Sequence, residues 1–214
     1  MSSILIILAL AIVGVLTFFL VGFLRNVQPT GEEVEKDLVD LKKSVAQFKG
    51  GFMPWTEEMS PKQMEEIMDK GQKRSGNGVF VSKSGDPIFA YAFRKYIGPG
   101  RNAVLYILSM DQEYIFRMTN KGTEISIDGT PKGLIRENGI LYDTKNDEVA
   151  QLKRYGASSI NKIFIGEEEV AKIALPDAIA NKAVEVTKMD LSPLEQESVR
   201  TIAIYDLIEN MIKD

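Results

Sequence analysis

Residues 102–127 decide the fold, and their sequence is NAVLYILSMDQEYIFRMTNKGTEISI. Apolar and polar residues alternate here with a period of two, which is typical of β-strands that bury one face. The turn signal Asn120-Lys-Gly122 interrupts the alternation. The pattern predicts three successive strands, at residues 102–110, 114–119 and 124–127.

The same alternation extends from residue 79 to about residue 186. Further strands are predicted at residues 79–82, 88–96, 133–136, 140–142, 148–154, 160–165, 170–175 and 183–186. About eleven strands at this spacing predict a sheet that closes or splits into a sandwich, because a long open sheet exposes its edges. The pentapeptides EVAQL (Glu148–Leu152) and EVAKI (Glu169–Ile173) echo each other and indicate a repeated hairpin.

The period changes after residue 190. Ser192-Pro-Leu-Glu195 has a capping residue followed by proline, which is typical of a helix start. The predicted core positions of this helix, which surround its axis, are Val199, Ile202, Ile204 and Ile208. A helix that is apolar almost all round favours enclosure, so a barrel around it is expected. If Asp206 of this helix is buried, it would need a partner such as Lys, Tyr or a backbone N–H, or would be protonated and neutral; at the mouth of the barrel, facing outward, it would be ordinary.

The order of these elements carries a family resemblance. Hairpins with a strand start such as Gly133-Leu-Ile-Arg136 precede a Ser-Pro-x-Glu-capped apolar helix. Residues 78–214 thereby resemble the tubby C-terminal-like superfamily, which includes phospholipid scramblase-like and LURP-one-related proteins. The resemblance implies a mainly β fold, with a closed antiparallel barrel of about twelve strands around a central C-terminal helix. The chain departs from scramblases in lacking their cysteine-rich and proline-rich N-terminal features.

Residues 4–24 contain no charged residue. As a helix this segment would be roughly 31 Å long, close to the thickness of a bilayer core. It therefore predicts a single-pass transmembrane anchor that contacts membrane lipids; a cleaved signal peptide and a buried core helix are the alternatives. Positive charges follow the segment (Arg25, Lys36, Lys42 and Lys43) and none precedes it, which predicts that the bulk of the chain is cytoplasmic. The predicted organisation is an anchor at 1–25, a helical stalk and linker at 26–77, and the barrel domain at 78–214.

The stalk is predicted to begin with a helix. Thr30-Gly-Glu-Glu33 fits a capping box. Apolar residues then follow in steps of four and three, at Val34, Leu38, Leu41, Val45 and Phe48. This spacing predicts either an amphipathic helix packed on the domain or a seam for a homo-oligomer.

A second short helix is predicted between Ser60-Pro61 and Gly71. The apolar residues of this connector are candidates for partner docking, or alternatively for packing against the domain: Met53, Trp55, Met64 and Met68.

Composition restricts the chemistry. The 26 Lys and Arg residues are outnumbered by 30 Asp and Glu residues, and the net charge of −4 excludes a nucleic-acid binder that acts through bulk positive charge. Cysteine and histidine are both absent, which excludes disulfide scaffolds, zinc fingers and any mechanism with an imidazole base. No nucleophile–base pair, nucleotide fingerprint or metal motif is recognisable, so no catalytic residue, cofactor or metal is predicted. The basic turn that carries Arg94, Lys95 and Arg101 is interpreted as a hairpin turn or as an anionic-lipid contact.

These observations favour a non-enzymatic protein. The expected function is a membrane-anchored interaction or scaffold subunit of a membrane protein assembly, with other membrane proteins as partners and no nucleic acid. The alternative, which the resemblance implies, is a lipid-handling or anionic-lipid-binding protein of scramblase type. A carboxylate-based hydrolase is a further hypothesis, and its only support is that Asp and Glu are present while Cys and His are absent.

Overall fold

The computed structural model describes residues 10, 12–17, 20, 29–55, 62–67, 74–82, 84–96, 102–155, 160–174 and 183–212, with the backbone alone for 62–67 and 210–212. Helix α1 spans Gly31–Val45 and continues into a 3-10 turn at Ala46–Phe48. Helix α2 spans Pro193–Ile212 near the C-terminus. Between the two helices the described chain forms one large sheet.

The sheet is an antiparallel meander in which each strand pairs with the next one in sequence. Its strands are β1 (Lys62–Ile67), β2 (Ser75–Val81), β3 (Pro87–Lys95), β4 (Ala103–Ser109), β5 (Glu113–Thr119), β6 (Gly122–Ile127), β7 (Thr130–Ile135), β8 (Ile140–Asp143), β9 (Glu148–Lys153), β10 (Ile160–Ile165), β11 (Glu168–Ala174) and β12 (Val184–Val186). The strands β2–β12 overlap the segments that alternation predicts. The echoing pentapeptides lie on β9 and β11, the second strands of two successive hairpins.

The predicted closed barrel is wrong, because the sheet is open. Within the described residues β1 pairs only with β2, and β12 pairs only with β11. Closure was expected because long open sheets expose edge strands. The last strand here has only three residues, and a very short edge strand is one way in which an open sheet limits that exposure.

The predicted second helix is also wrong. Residues 62–67 form β1, which pairs with β2 across a register shift between Met64 and Glu66. The helix prediction depended on a local capping signal at Ser60-Pro61. Pairing with β2 overrides that local preference, as tertiary context commonly does.

Helix α2 lies against the inner face of the sheet, within the larger apolar core. Every residue from Thr201 to Glu209 is buried, and a helix with no exposed side over nine residues must be surrounded. Its side chains reach several strands, for example Phe116 on β5 and Thr123 on β6, both of which contact Tyr205. The open sheet therefore curves around α2. Ser192 and Glu195 form the expected reciprocal cap at the helix start.

Helix α1 lies on the opposite, outer face of the sheet, over β2, β3 and β4. Alternate residues of β3 and β4 point to it, including Ala90, Ala92, Val104 and Tyr106, while their neighbours point to the inner core. The predicted capping box is present, since Thr30 and Glu33 each accept a hydrogen bond from the other's backbone N–H.

The predicted transmembrane anchor is not supported. The single-pass membrane assignment and the predicted orientation depended on this anchor, so they are not supported either. Of residues 4–24, only 10, 12–17 and 20 belong to the described part of the chain. Across all described residues, no helix combines the length and apolar character that a membrane crossing requires.

Candidate functional site

The first half of the outer face is occupied by α1. Leu41 and Val45 are buried against β3 and β4, and Val34, Leu38 and Phe48 pack on the same cluster. These five residues are the predicted oligomer seam, and the structure places them against the sheet of their own chain. A homo-oligomer stays a prediction, but this stripe is already covered.

An ionic contact made by a buried carboxylate fixes α1 to the sheet. Asp37 is 6% exposed, and its carboxylate accepts hydrogen bonds from Arg94 Nη1 at 2.6 Å and from the Tyr96 hydroxyl at 2.9 Å. Burial raises the pKa of the Tyr96 phenol above its ordinary value, and the bond to Asp37 raises it further. The Arg117 guanidinium lies 5.2 Å from the centre of the Tyr96 ring. The cluster therefore holds the helix through a buried carboxylate, whose charge partner Arg94 has a side chain that is 41% exposed.

The structure describes two of the three predicted lipid-contact residues. Arg94 is engaged by Asp37, and Lys95 donates its backbone N–H to the Arg74 carbonyl at 2.6 Å. Arg101 lies outside the described residues. An anionic-lipid contact at these three positions stays a prediction.

The predicted docking residues are divided between core and surface. Trp55 stacks on Phe89 with ring centres 5.6 Å apart and packs on the inner core. Met53 is 41% exposed. The side chain of Met64, on β1, and the whole of Met68 lie outside the described residues.

The predicted helix-core residues share one environment. Val199, Ile202, Ile204 and Ile208 are at most 4% exposed and belong to the inner core. The structure brings all four into the concave side of the sheet.

A charged network lies within this apolar environment. Asp206 is fully buried and Glu209 is 2% exposed, and both carboxylates face Arg154, which follows β9. Arg154 Nε donates to Asp206 Oδ1 at 2.9 Å, and Arg154 Nη2 donates to Glu209 Oε2. Asn161 Nδ2 on β10 donates to Asp206 Oδ2 at 2.7 Å. Sequence reasoning flagged Asp206 as needing a partner but did not find Arg154 or Asn161.

The network continues to β6. The Tyr205 hydroxyl donates to Glu209 Oε1 at 2.8 Å and accepts from the Thr123 hydroxyl at 3.1 Å. Burial lowers the pKa of Arg154, but the two carboxylates more than offset this, and its pKa is raised overall. Both carboxylates are engaged by hydrogen bonds within the fold. The arrangement can fix the position and rotation of α2 in the sheet, which is a structural role.

The second half of the outer face is different, because no helix of the described chain packs on it. We define the uncovered face as the outer surface of β8–β11, which carries Ile140, Tyr142, Gln151, Lys153, Lys162, Phe164 and Lys172. Cations lie over its aromatic rings, with Lys153 Nζ 4.1 Å from the Phe164 ring centre and Arg136 4.2 Å from that of Tyr142. At its margin Tyr155 and Ile160 are 44% and 39% exposed. This mixture of rings and cations is a candidate interaction surface.

Sequence reasoning missed this surface. The echo between Glu148–Leu152 and Glu169–Ile173 was a usable signal, since it predicts two equivalent strands in neighbouring hairpins. The register across β10 could not be derived from it. That register decides which side chains meet on the outer face.

Among the pockets on the described surface, two lie beside features already introduced. One, of about 410 Å³, is lined by Glu137–Gly139 and by Gln151–Tyr155, beside the uncovered face. The other, of about 460 Å³, lies between the segment after α1 and the β4–β5 turn, and includes Lys49, Asp111, Glu113 and Asp128. No group of three potential metal-ligating side chains occurs among the residues described.

Comparisons with known proteins add no relative. No protein-family model, no curated protein and no solved structure matches the chain. The tubby-like resemblance therefore stays a prediction.

Proposed function

We propose that this chain is a non-enzymatic interaction module, a scaffold subunit of a larger protein assembly that it joins through the uncovered face. The single observation that carries the proposal is that a helix covers one part of the outer face and, within the described chain, not the other. Helix α1 packs on β2–β4, whereas no helix of the described chain packs on the outer side of β8–β11, which carries partly exposed rings and cations. Aromatic residues and arginine are enriched in protein–protein interfaces, and polar side chains form their rims.

The rigidity of the module supports the same function. Helix α2 packs beneath the uncovered face, against the inner side of β9, β10 and β11. A surface on a rigid sheet loses little conformational freedom when a partner binds, which favours affinity.

The test compares exposed apolar residues at this face with exposed apolar residues elsewhere. The full chain is tagged, isolated from its native cells without denaturation, and sized. We expect a mass well above the 23.9 kDa of the chain, and Tyr155→Asp with Ile160→Asp should reduce it to that of the chain alone.

Matched controls are Met189→Asp and Leu194→Asp, at residues that are 94% and 64% exposed and lie outside β8–β11. They should leave the assembly intact. A wild-type chain that is isolated as a single copy, or equal effects of the two pairs of substitutions, would contradict the proposal.

A further inference from the structure

Three lysines stand side by side on the uncovered face. Lys162 on β10 lies directly opposite Lys153 on β9 and directly opposite Lys172 on β11. Directly paired residues project from the same side of a sheet, and adjacent strands are about 4.8 Å apart. The neighbouring residues Leu152, Ile163 and Ile173 are buried in the inner core, which places the lysines on the outer side. We call these three residues the lysine row.

The lysine row is only partly neutralised. Glu169 contacts Lys162 Nζ at 2.5 Å and Lys172 Nζ at 3.6 Å. Lys153 lies over the Phe164 ring and has no carboxylate partner among the described residues. Glu169 and Glu185, which lies on β12 opposite Lys172, offset two of the three lysine charges, and one net positive charge remains towards Lys153 and Lys162. Like charges placed directly opposite each other destabilise a sheet, so an anionic partner would relieve a cost that the free chain carries.

We propose that the lysine row binds an acidic peptide segment of a partner protein, an inference that rests on the proposed function and names the chemistry of its partner. Glutamates three or four residues apart on a helix have Cβ atoms about 5–6 Å apart, close to the spacing of the row. A carboxylate between Lys153 and Lys162 would reach both ammonium groups. Glu169 occupies the corresponding place between Lys162 and Lys172, and so acts as an internal competitor.

An acidic peptide fits this face better than a single-stranded nucleic acid does. Nucleic-acid platforms on sheets use open aromatic faces on which bases stack. Here the Phe164 and Tyr142 rings are capped by Lys153 and Arg136. Bases could stack on these rings only after displacing both cations, whereas the carboxylates of an acidic peptide would bind to the cations where they are.

The test measures binding of the purified full chain to a fluorescein-labelled helical peptide of about 15 residues, built from Glu and Ala, by fluorescence anisotropy at low salt. Replacing Lys153 and Lys162 with Gln should weaken binding about tenfold or more, because both charges that hold the carboxylates are lost. Lys36→Gln with Lys43→Gln, on the solvent side of α1, removes the same charge and should change affinity less than about twofold.

Glu169→Gln gives a result that misfolding could not imitate. Removal of the competitor should tighten peptide binding about threefold or more, with the effect lost in about 0.5 M salt. A twin peptide with Gln for Glu should not bind. Absence of binding, equal losses from the two lysine pairs, weaker binding by Glu169→Gln, or preferential binding of oligo-dT or of vesicles with anionic lipid would each overturn the inference.

The two proposals fail separately. If the assembly requires Tyr155 and Ile160 but tolerates Lys153→Gln with Lys162→Gln, the interaction module stands and the acidic partner is wrong. If the peptide binds as expected but the native chain is isolated as a single copy, the peptide site stands and the scaffold function is wrong.

Discussion

The two helices bury their side chains in different ways. Helix α1 buries one stripe, with Asp37, Leu41 and Val45 towards the sheet and residues such as Val39 towards solvent. Helix α2 buries nine consecutive residues, including two carboxylates. Helix α1 packs on part of the outer face, and helix α2 lies in the middle of the inner core. The difference shows that α2 fills the inner side of the sheet, whereas α1 covers only β2–β4 on the outer side. Within the described chain, the outer side of β8–β11 has no helix packed on it.

The largest expected effect comes from breaking the charged network of α2. Arg154→Met leaves Asp206 and Glu209 buried without their cation, and removal of one partner from a buried ion pair costs about 3–5 kcal/mol. The free energy of unfolding from urea titration measures this loss. Adding Asp206→Asn and Glu209→Gln to Arg154→Met should recover much of the stability. A stability of the Arg154→Met variant within about 0.5 kcal/mol of wild type would show that the network does not hold α2.

The next effect tests whether α2 is surrounded. Ile204 and Ile208 are fully buried, so Ile204→Ala and Ile208→Ala should each reduce the free energy of unfolding by about 2–5 kcal/mol. Leu194→Ala, in the exposed first turn of the same helix, should cost no more than about 0.5 kcal/mol. Thermal melts of the three variants make the comparison. Equal melting temperatures for Ile204→Ala and wild type would mean that α2 is peripheral.

Helix α1 should show a smaller, one-sided response. Val45 is fully buried, whereas Val39 is 50% exposed. Val45→Ala should cost about 1–3 kcal/mol and Val39→Ala no more than about 0.5 kcal/mol, because only the first loses contacts with the sheet. Chemical denaturation of both variants measures the contrast. Equal costs would contradict the placement of α1.

The smallest effect is a pH dependence of the free energy of unfolding that arises from Lys42, in the last turn of α1. Lys42 donates a hydrogen bond to Glu113 at 2.7 Å, which lowers the pKa of this carboxyl below its ordinary 4.5, although burial opposes the shift. A lowered pKa stabilises the fold above the unfolded-state value, and the benefit is lost as the pH falls through the folded-state value. Because both side chains are more than a third exposed, Lys42→Met should cost only about 0.5 kcal/mol at pH 7.

The same comparison at low pH provides the control for Lys42→Met. The difference in unfolding free energy between variant and wild type should disappear near pH 2, where Glu113 is protonated in both states. A difference that persists unchanged at that pH would mean that Lys42 acts through its packing on Tyr106, 5.2 Å away, rather than through its charge.

Local patterns predicted much of this fold, and long-range pairing accounts for the errors. Alternation located β2–β12, and the capping boxes at Thr30 and Ser192 located the starts of both helices. Strand β1 was mistaken for a helix because its pairing with β2 is not encoded in its own capping signal. Closure of the sheet was predicted wrongly for the same reason, since it depends on whether β1 and β12 meet.

The candidate site was predictable only in part. Asp206 was identified as anomalous because a carboxylate in an apolar helix needs a partner. The identity of that partner, Arg154, follows from the placement of β9 beside α2, which no local pattern contains. The lysine row is equally invisible in sequence, where its members are 9 and 10 residues apart. Only the register of β9, β10 and β11 brings them together.

The central claim, that the two halves of the outer face differ in their access to a partner, is tested most directly by lysine acetylation measured by mass spectrometry. The full chain is labelled in its native assembly and again after purification to a single copy. We predict that modification of Lys153 falls about fivefold or more in the assembly, because a partner covers it. Lys36 and Lys43, on the solvent side of α1, should change less than about twofold. Equal modification of Lys153 in both samples would contradict the account.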